Sequence, residues 1–225
     1  VAKRAEALSS ATNDPLLLVG ACTVQGNVQM LQGRPRAARA WVERGLAAVE
    51  SLDAAPGQSS VVDPQVMLLG LLSIQLLHLG LVRQARARLQ QAYARAQQLG
   101  QPVARMVAIW FDALFEVRLG NAERVAELAD EMQALVDRFA VAQGRTACRW
   151  FRGWAEARMG QPRESHRRIR EAYEDNIGLG MLAGGSEDLG YAAEALLLAG
   201  DWDGAQRELE EALQFADTHG ERVYL

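Results

Sequence analysis

Five short turns carry glycine at a nearly constant interval. They are Leu31-Gln32-Gly33-Arg34-Pro35, His78-Leu79-Gly80-Leu81-Val82, Arg118-Leu119-Gly120-Asn121-Ala122, Arg158-Met159-Gly160-Gln161-Pro162 and Leu198-Ala199-Gly200-Asp201-Trp202. The glycines stand 47, 40, 40 and 40 residues apart. A period of this size marks a repeat architecture, in which each unit is one supersecondary element that cannot bury its apolar face alone. The flanks keep the same register. Seven residues before the glycine stand Gly26, Ser73, Ala113, Gly153 and Ala193. Five after stand Ala38, Ala85, Val125, Ser165 and Ala205; nine after, Val42, Leu89, Ala129, Ile169 and Leu209; twelve after, Gly45, Ala92, Met132, Ala172 and Ala212. Offsets of five, nine and twelve trace one face of a helix. Small side chains at fixed offsets let two helices approach closely.

Composition agrees with helices. Apolar residues make up 49% of the chain, dominated by Ala and Leu, both good helix formers. The pattern predicts helices over 15–32 and 36–52, 64–79 and 82–99, 103–119 and 122–139, 144–159 and 162–177, and 186–199 and 202–218. Gly100, Gly180 and Gly220, each twenty residues past a turn glycine, suit left-handed helix stops. Pro64, Pro102 and Pro162 fall at helix starts, where the missing N–H would have had no partner. Asp53–Val62 is the one long connection and accounts for the spacing of 47. The expected architecture is all-α, a right-handed superhelical solenoid of about five hairpins. It forms a single repeat domain over 1–225, with units at 15–52, 64–99, 103–139, 144–177 and 186–218.

The net charge is −4, from 24 basic and 28 acidic residues, which argues against a nucleic-acid surface. Cys22 and Cys148 sit in apolar helical surroundings and read as reduced, buried thiols of a cytoplasmic protein. No apolar run reaches the ~18–20 residues of a membrane span; the longest, Val66 to Val82, is interrupted by Gln75 and His78. No signal-peptide pattern opens the chain. It begins at Val1 and stops at Val223-Tyr224-Leu225, and is expected to be part of a longer polypeptide.

The glycine turn with small residues five and twelve positions later resembles the tetratricopeptide repeat. The unit here is 40 residues against the usual ~34, as in the long-repeat variant of large bacterial signal-transduction ATPases. Three stretches carry the likeness: Asp63-Pro64 leading to Leu79-Gly80 and Gln84-Ala85; Arg152-Gly153-Trp154-Ala155 running to Met159-Gly160; and Leu189 to Leu198, followed by Glu211-Ala212-Leu213 and Gly220-Glu221-Arg222-Val223-Tyr224. They look like the C-terminal helical repeats of multidomain regulators. In that group an AAA-type ATPase module precedes the repeats, and the effector is a class III adenylate/guanylate cyclase or a winged-helix DNA-binding domain. The likeness departs at Ala183-Gly184-Gly185-Ser186, where a glycine pair leads into the last A helix. The resemblance places cyclase, ATPase and DNA-binding chemistry outside this chain. It also implies a second expectation, an inducer-sensing role like that of ATPase-type transcription activators.

Two sets of side chains stand out as candidates for contact with a partner. Trp110, Trp150 and Trp154 lie on the third and fourth A helices, with Phe111 and Phe151 beside the first two. They read either as core between repeats or as an aromatic floor in a concave groove. Asp112 and Glu116 are four apart, and Arg152 and Glu156 take the same offsets one repeat later; Arg145 and Arg149 extend the stripe. At the ~10 Å spacing of packed helices, Asp112 is placed to face Arg152. Arg149 and Arg152 are candidates for gripping acidic groups, because guanidinium presents a planar fork of donors. The arginines of the B helices, Arg83, Arg86 and Arg88, then Arg163, Arg167, Arg168 and Arg170, read as outer-face charge.

No enzyme is expected. There is no Gly-rich Lys-Ser/Thr phosphate loop, no Cys/His metal cluster, and no cofactor motif. His78 and His219 sit where the helix dipole favours a cation, and His166 lies on a B helix. The expected role is a protein–protein interaction or regulatory scaffold. It binds a protein segment, or its own ATPase or effector domain, on the concave A-helix face. A small-molecule inducer is the alternative. Neither nucleic acid nor membrane is an expected partner. The terminal units lack polar caps, so copies of the chain are also expected to pair through open ends.

Overall fold

The computed structural model describes residues 14–50, 62–139 and 144–223. Among them are ten helices and no strand: α1 (Pro15–Leu31), α2 (Pro35–Glu50), α3 (Pro64–His78), α4 (Val82–Leu99), α5 (Pro102–Leu119), α6 (Ala122–Phe139), α7 (Gly144–Arg158), α8 (Pro162–Gly178), α9 (Gly185–Leu198) and α10 (Trp202–His219). The described helix ends lie within a residue or so of the predicted ones. The predicted tail at 51–52 and the long connection up to residue 61 lie outside the described residues.

The five turns share one geometry. Each glycine has positive φ, between 70° at Gly33 and 100° at Gly160, a region that costs a residue with a Cβ. In every turn the N–H after the glycine reaches back five residues: Arg34 to Gln29, Leu81 to Leu76, Asn121 to Glu116, Gln161 to Glu156 and Asp201 to Leu196, at 2.9–3.0 Å. This is the Schellman closure, which satisfies carbonyls that the helix end would leave unpaired. The next helix starts at once. Its first free N–H groups are met by Asp201 Oδ1 at Gly204 (2.9 Å) and by Asn121 Oδ1 at Arg124 (3.4 Å). Asp63 caps α3 in the same way at Val66 (2.9 Å).

Two compact units divide the chain, residues 1–112 and 113–225, with the division inside α5. In the first, α1 packs on α2, α3 on α4, α2 on α3, and α1 also on α3. The small-residue register is the reason. A Cβ at Gly26 would lie 2.6 Å from Val42, and one at Gly45 would lie 2.9 Å from Cys22 and 3.2 Å from Leu68. Val66, Leu69, Ala92, Ala96, Ala104 and Ala108 form a buried cluster there, edged by Leu46, Tyr93, Leu99 and Val107. In the second unit, α7 packs on α8, α9 on α10, α6 on α7, α8 on α9, and α7 on α9. Gly153 lies close enough to Ile169 that a Cβ would come within 3.0 Å. Tyr173, Leu189 and Ala212 form a second cluster, with Ile177 and Phe215 against it.

The glycine pair before α9 has two separate causes. Gly184 takes φ 88°. Gly185 is pressed against the Phe215 ring, where a Cβ would lie 2.4 Å from Cζ. The start of α9 is capped from far along the chain: Glu221, buried beyond α10, accepts from Gly184 N at 2.7 Å, from Ser186 N at 3.1 Å and from the Ser186 hydroxyl.

Candidate functional site

The aromatic candidates divide by burial. Trp110 is exposed on one edge and meets Phe111 edge to face, with ring centroids 4.7 Å apart. Trp150 and Trp154 are buried. Tyr191 of α9 closes over both, at 5.4 and 6.2 Å, and Phe151 abuts Trp150 at 4.9 Å. The Arg158 guanidinium lies 4.8 Å over the Trp154 ring. The expected aromatic floor is therefore filled from within the chain at Trp150 and Trp154, because α9 packs directly on α7.

The charged candidates also find partners inside the chain. Asp112 is buried and accepts from the Tyr93 hydroxyl at 3.0 Å. Glu116 is buried and accepts from Asn121 Nδ2 at 3.1 Å. Arg152 pairs with Asp130 of α6, Arg149 with Asp175 of α8, and Glu156 accepts from Arg168 at 2.6 Å. Arg152 thus turns to a B-helix carboxylate, because α6 and α7 pack side by side.

Of these side chains, Asp130, Arg149, Arg152 and Arg168 line a cleft of about 250 Å³ where α6, α7 and α8 meet. It is lined by Asp130 and Gln133 from α6, Arg149 and Arg152 from α7, and Arg167, Arg168 and Glu171 from α8, with Ala129 and Cys148 at its base. The lining thus carries four guanidiniums against two carboxylates. Arg167 is held by Glu164 and Glu171 along its own helix, and in return it keeps the Glu164 carboxyl below the ordinary carboxylate range. Arg149 and Asp175 are both well exposed, as is Asp130 opposite Arg152. Exposed pairs of that kind contribute ~0–1 kcal/mol each. Burial, with Asp137 nearby, pushes the Cys148 thiol up to about 11, which keeps it protonated and unreactive at neutral pH. Cys22 and Cys148 are both buried.

Arg167 and Arg168, outer-face residues by the sequence pattern, instead line the cleft. Arg170, placed on that face by the same pattern, reaches across to Glu208 at 3.1 Å and Glu211 at 3.0 Å on α10. The signal available in the sequence is proximity to the turn: Arg149, Arg152, Arg167 and Arg168 fall within eleven residues of Gly160 on either side, and a hairpin brings such positions together.

A second cleft, about 430 Å³, is lined by Arg36, Arg39, Ala40, Glu43, Leu79 and Leu81. Its Arg39 is held by Glu43 at 2.8 Å along the same helix, and a single helix and a turn supply all its polar groups. His166 Nε2 lies 2.8 Å from Glu208, but Arg170 shares that carboxylate, and the pair lines neither cleft. His219 sits against the Phe215 carbonyl at 3.0 Å and stacks on its ring at 4.0 Å. Among the described residues, no group of three or more His, Cys, Asp and Glu is placed to hold a metal. Among them, too, no helix is long and apolar enough to cross a membrane. No protein-family model matches the sequence, and no curated protein matches it.

Proposed function

We propose that this chain is a cytoplasmic partner-binding scaffold, a right-handed superhelical stack of tetratricopeptide-like hairpins within a multidomain signal-transduction ATPase regulator. Its partner is an acidic protein segment, supplied by another protein or by the regulator's own ATPase or effector domain. The segment lies in the cleft on the A helix α7. One observation carries this reading: Arg149, Arg152, Arg167 and Arg168 converge on one cleft from two helices. Guanidiniums bind carboxylates in bidentate fashion, and the exposed pairs that now hold Arg149 and Arg152 are weak enough to exchange. Stacked hairpins leave a continuous surface along which an extended segment can lie. The chemistry is binding without catalysis. An inducer draws less support, because the cleft is smaller than the ~300–1,000 Å³ of ordinary small-molecule pockets and presents no aromatic face.

The test is fluorescence anisotropy with a labelled polyglutamate peptide at low salt. Binding is expected, weakening as salt screens the charges, and falling about tenfold or more in Arg149→Glu/Arg152→Glu. Absence of binding to the natural chain, or an unchanged Kd in the double variant, sinks the reading.

A further inference from the structure

The four guanidiniums of the cleft between α6, α7 and α8 are matched by carboxylates of the chain itself. Arg152 pairs with Asp130 and Arg149 with Asp175. Arg167 pairs with Glu164 and Glu171, and Arg168 with Glu156 and Glu164. The cations are thus left with no surplus of positive charge. An acidic segment seats among them only by taking the place of carboxylates already there.

These carboxylates differ in how firmly they are held. Glu164 and Glu171 reach Arg167 along their own helix, three and four residues away, where the backbone keeps the partners adjacent. The Glu156 side chain is 19% exposed and meets Arg168 at 2.6 Å, and such shielding from water reduces screening of the pair. Asp130 and Asp175 differ on both counts. Each reaches α7 from a neighbouring helix, Asp130 from α6 and Asp175 from α8, and their side chains are 62% and 51% exposed. Water solvates either carboxylate once it lets go, so these are the two that exchange most readily. Their partners Arg149 and Arg152 stand three residues apart on α7, neighbours on one helix face, and both line the cleft.

We propose that Asp130 and Asp175 are internal competitors for the cleft: they hold Arg152 and Arg149 in the free chain and yield them to two carboxylates of the bound segment. The inference rests on the reading of the cleft as the seat of an acidic segment, and adds what sets its affinity and selectivity. The two aspartates weaken binding twice, by occupying the guanidiniums beforehand and by repelling the segment as like charges once displaced. They also act as a filter. A single carboxylate displaces one aspartate and leaves the other in place, so a segment with two carboxylates is preferred.

Fluorescence anisotropy with a labelled polyglutamate peptide tests this on three proteins. They are the natural chain, Asp130→Asn/Asp175→Asn, and Asp203→Asn/Glu210→Gln, which removes the same charge from exposed positions of α10. Unchanged helical circular dichroism checks that the variants fold; if the Asn pair unfolds, the two single Asn variants replace it. The Asn pair is expected to bind about three- to tenfold more tightly than the natural chain, the effect of losing two exposed ion pairs. The α10 variant should stay within about twofold, because its charges are distant and screened. Adding Arg149→Glu/Arg152→Glu to the Asn pair should abolish the gain. Where the natural chain binds, an Asn pair that binds no more tightly overturns this proposal and leaves the cleft as a binding site. So does a gain equalled by the α10 variant. A natural chain and an Asn pair that both fail to bind overturn the reading of the cleft as well.

Discussion

Glu221 and Ser186 lie thirty-five residues apart and are joined by two hydrogen bonds, from the Ser186 N–H and from its hydroxyl, to one carboxylate oxygen of Glu221. The other oxygen takes the Gly184 N–H. Residues beyond α10 thus supply the N-cap that α9 lacks in its own sequence, where Gly184 has no side chain to offer.

Removing that cap should cost stability. Glu221→Ala leaves the α9 N–H groups unpaired in a buried place, and is expected to lower the unfolding free energy by about 1–3 kcal/mol. Ser186→Ala removes one of the three bonds and should cost about 1 kcal/mol. Urea titration measures both; equal stability in Glu221→Ala would show that the cap contributes nothing.

Two helical glycines should respond oppositely to alanine. At Gly70 the new Cβ meets the Phe111 ring at 2.0–2.4 Å, and the ring has no room to retreat in a buried position. Gly70→Ala is expected to destabilise by about 1–3 kcal/mol. At Gly190 nothing lies within 4 Å, so Gly190→Ala should stabilise by about 1 kcal/mol through helix propensity alone. Thermal melts of the two variants check the difference in sign.

Gln75 occupies a register position that is apolar in the other hairpins: Val28, Phe115, Ala155 and Ala195. It is fully buried, and among the described residues neither atom of its amide has a hydrogen-bond partner. Such a group keeps its desolvation cost uncompensated. Gln75→Met, of similar length, is expected to raise stability by about 1–2 kcal/mol, read as a higher urea midpoint at unchanged slope.

Asp188 sets a pH dependence. Burial, with Glu187 beside it, raises its carboxyl well above the ordinary value. Between the unfolded and folded values the folded state binds more protons, so this group's contribution to stability falls as pH rises through that window. Asp188→Asn removes the charge. The variant should be more stable than the natural chain at neutral pH. The gap should close as pH falls towards about 4, the ordinary carboxylate value. A gap that stays constant, or widens on acidification, contradicts the assignment.

The helices and turns are legible in the sequence because their causes are local. A residue of positive φ every 40 positions, proline at helix starts and small side chains at three offsets are features of single helices and single turns, and the described helix ends fall where those features predict. By local pattern the glycine pair at 184–185 is only the end of a connection. Its second glycine answers to Phe215, thirty residues on.

The pairing of charges is not legible. Periodicity puts Arg152 and Asp112 at facing positions, but it carries no information about how each helix is rotated. In the folded chain Arg152 turns to Asp130 and Asp112 to Tyr93. Trp110 and Trp150 share a register position, yet one is exposed and the other is covered by Tyr191.

Helix order, turn geometry and the stripe each helix must bury thus come from the residues taken a few turns at a time, since backbone sterics and side-chain spacing act over that range. The cleft lined by four arginines and the cap supplied by Glu221 depend on how neighbouring helices are rotated and tilted when they pack. That arrangement is set by contacts between residues tens of positions apart, which no local pattern encodes.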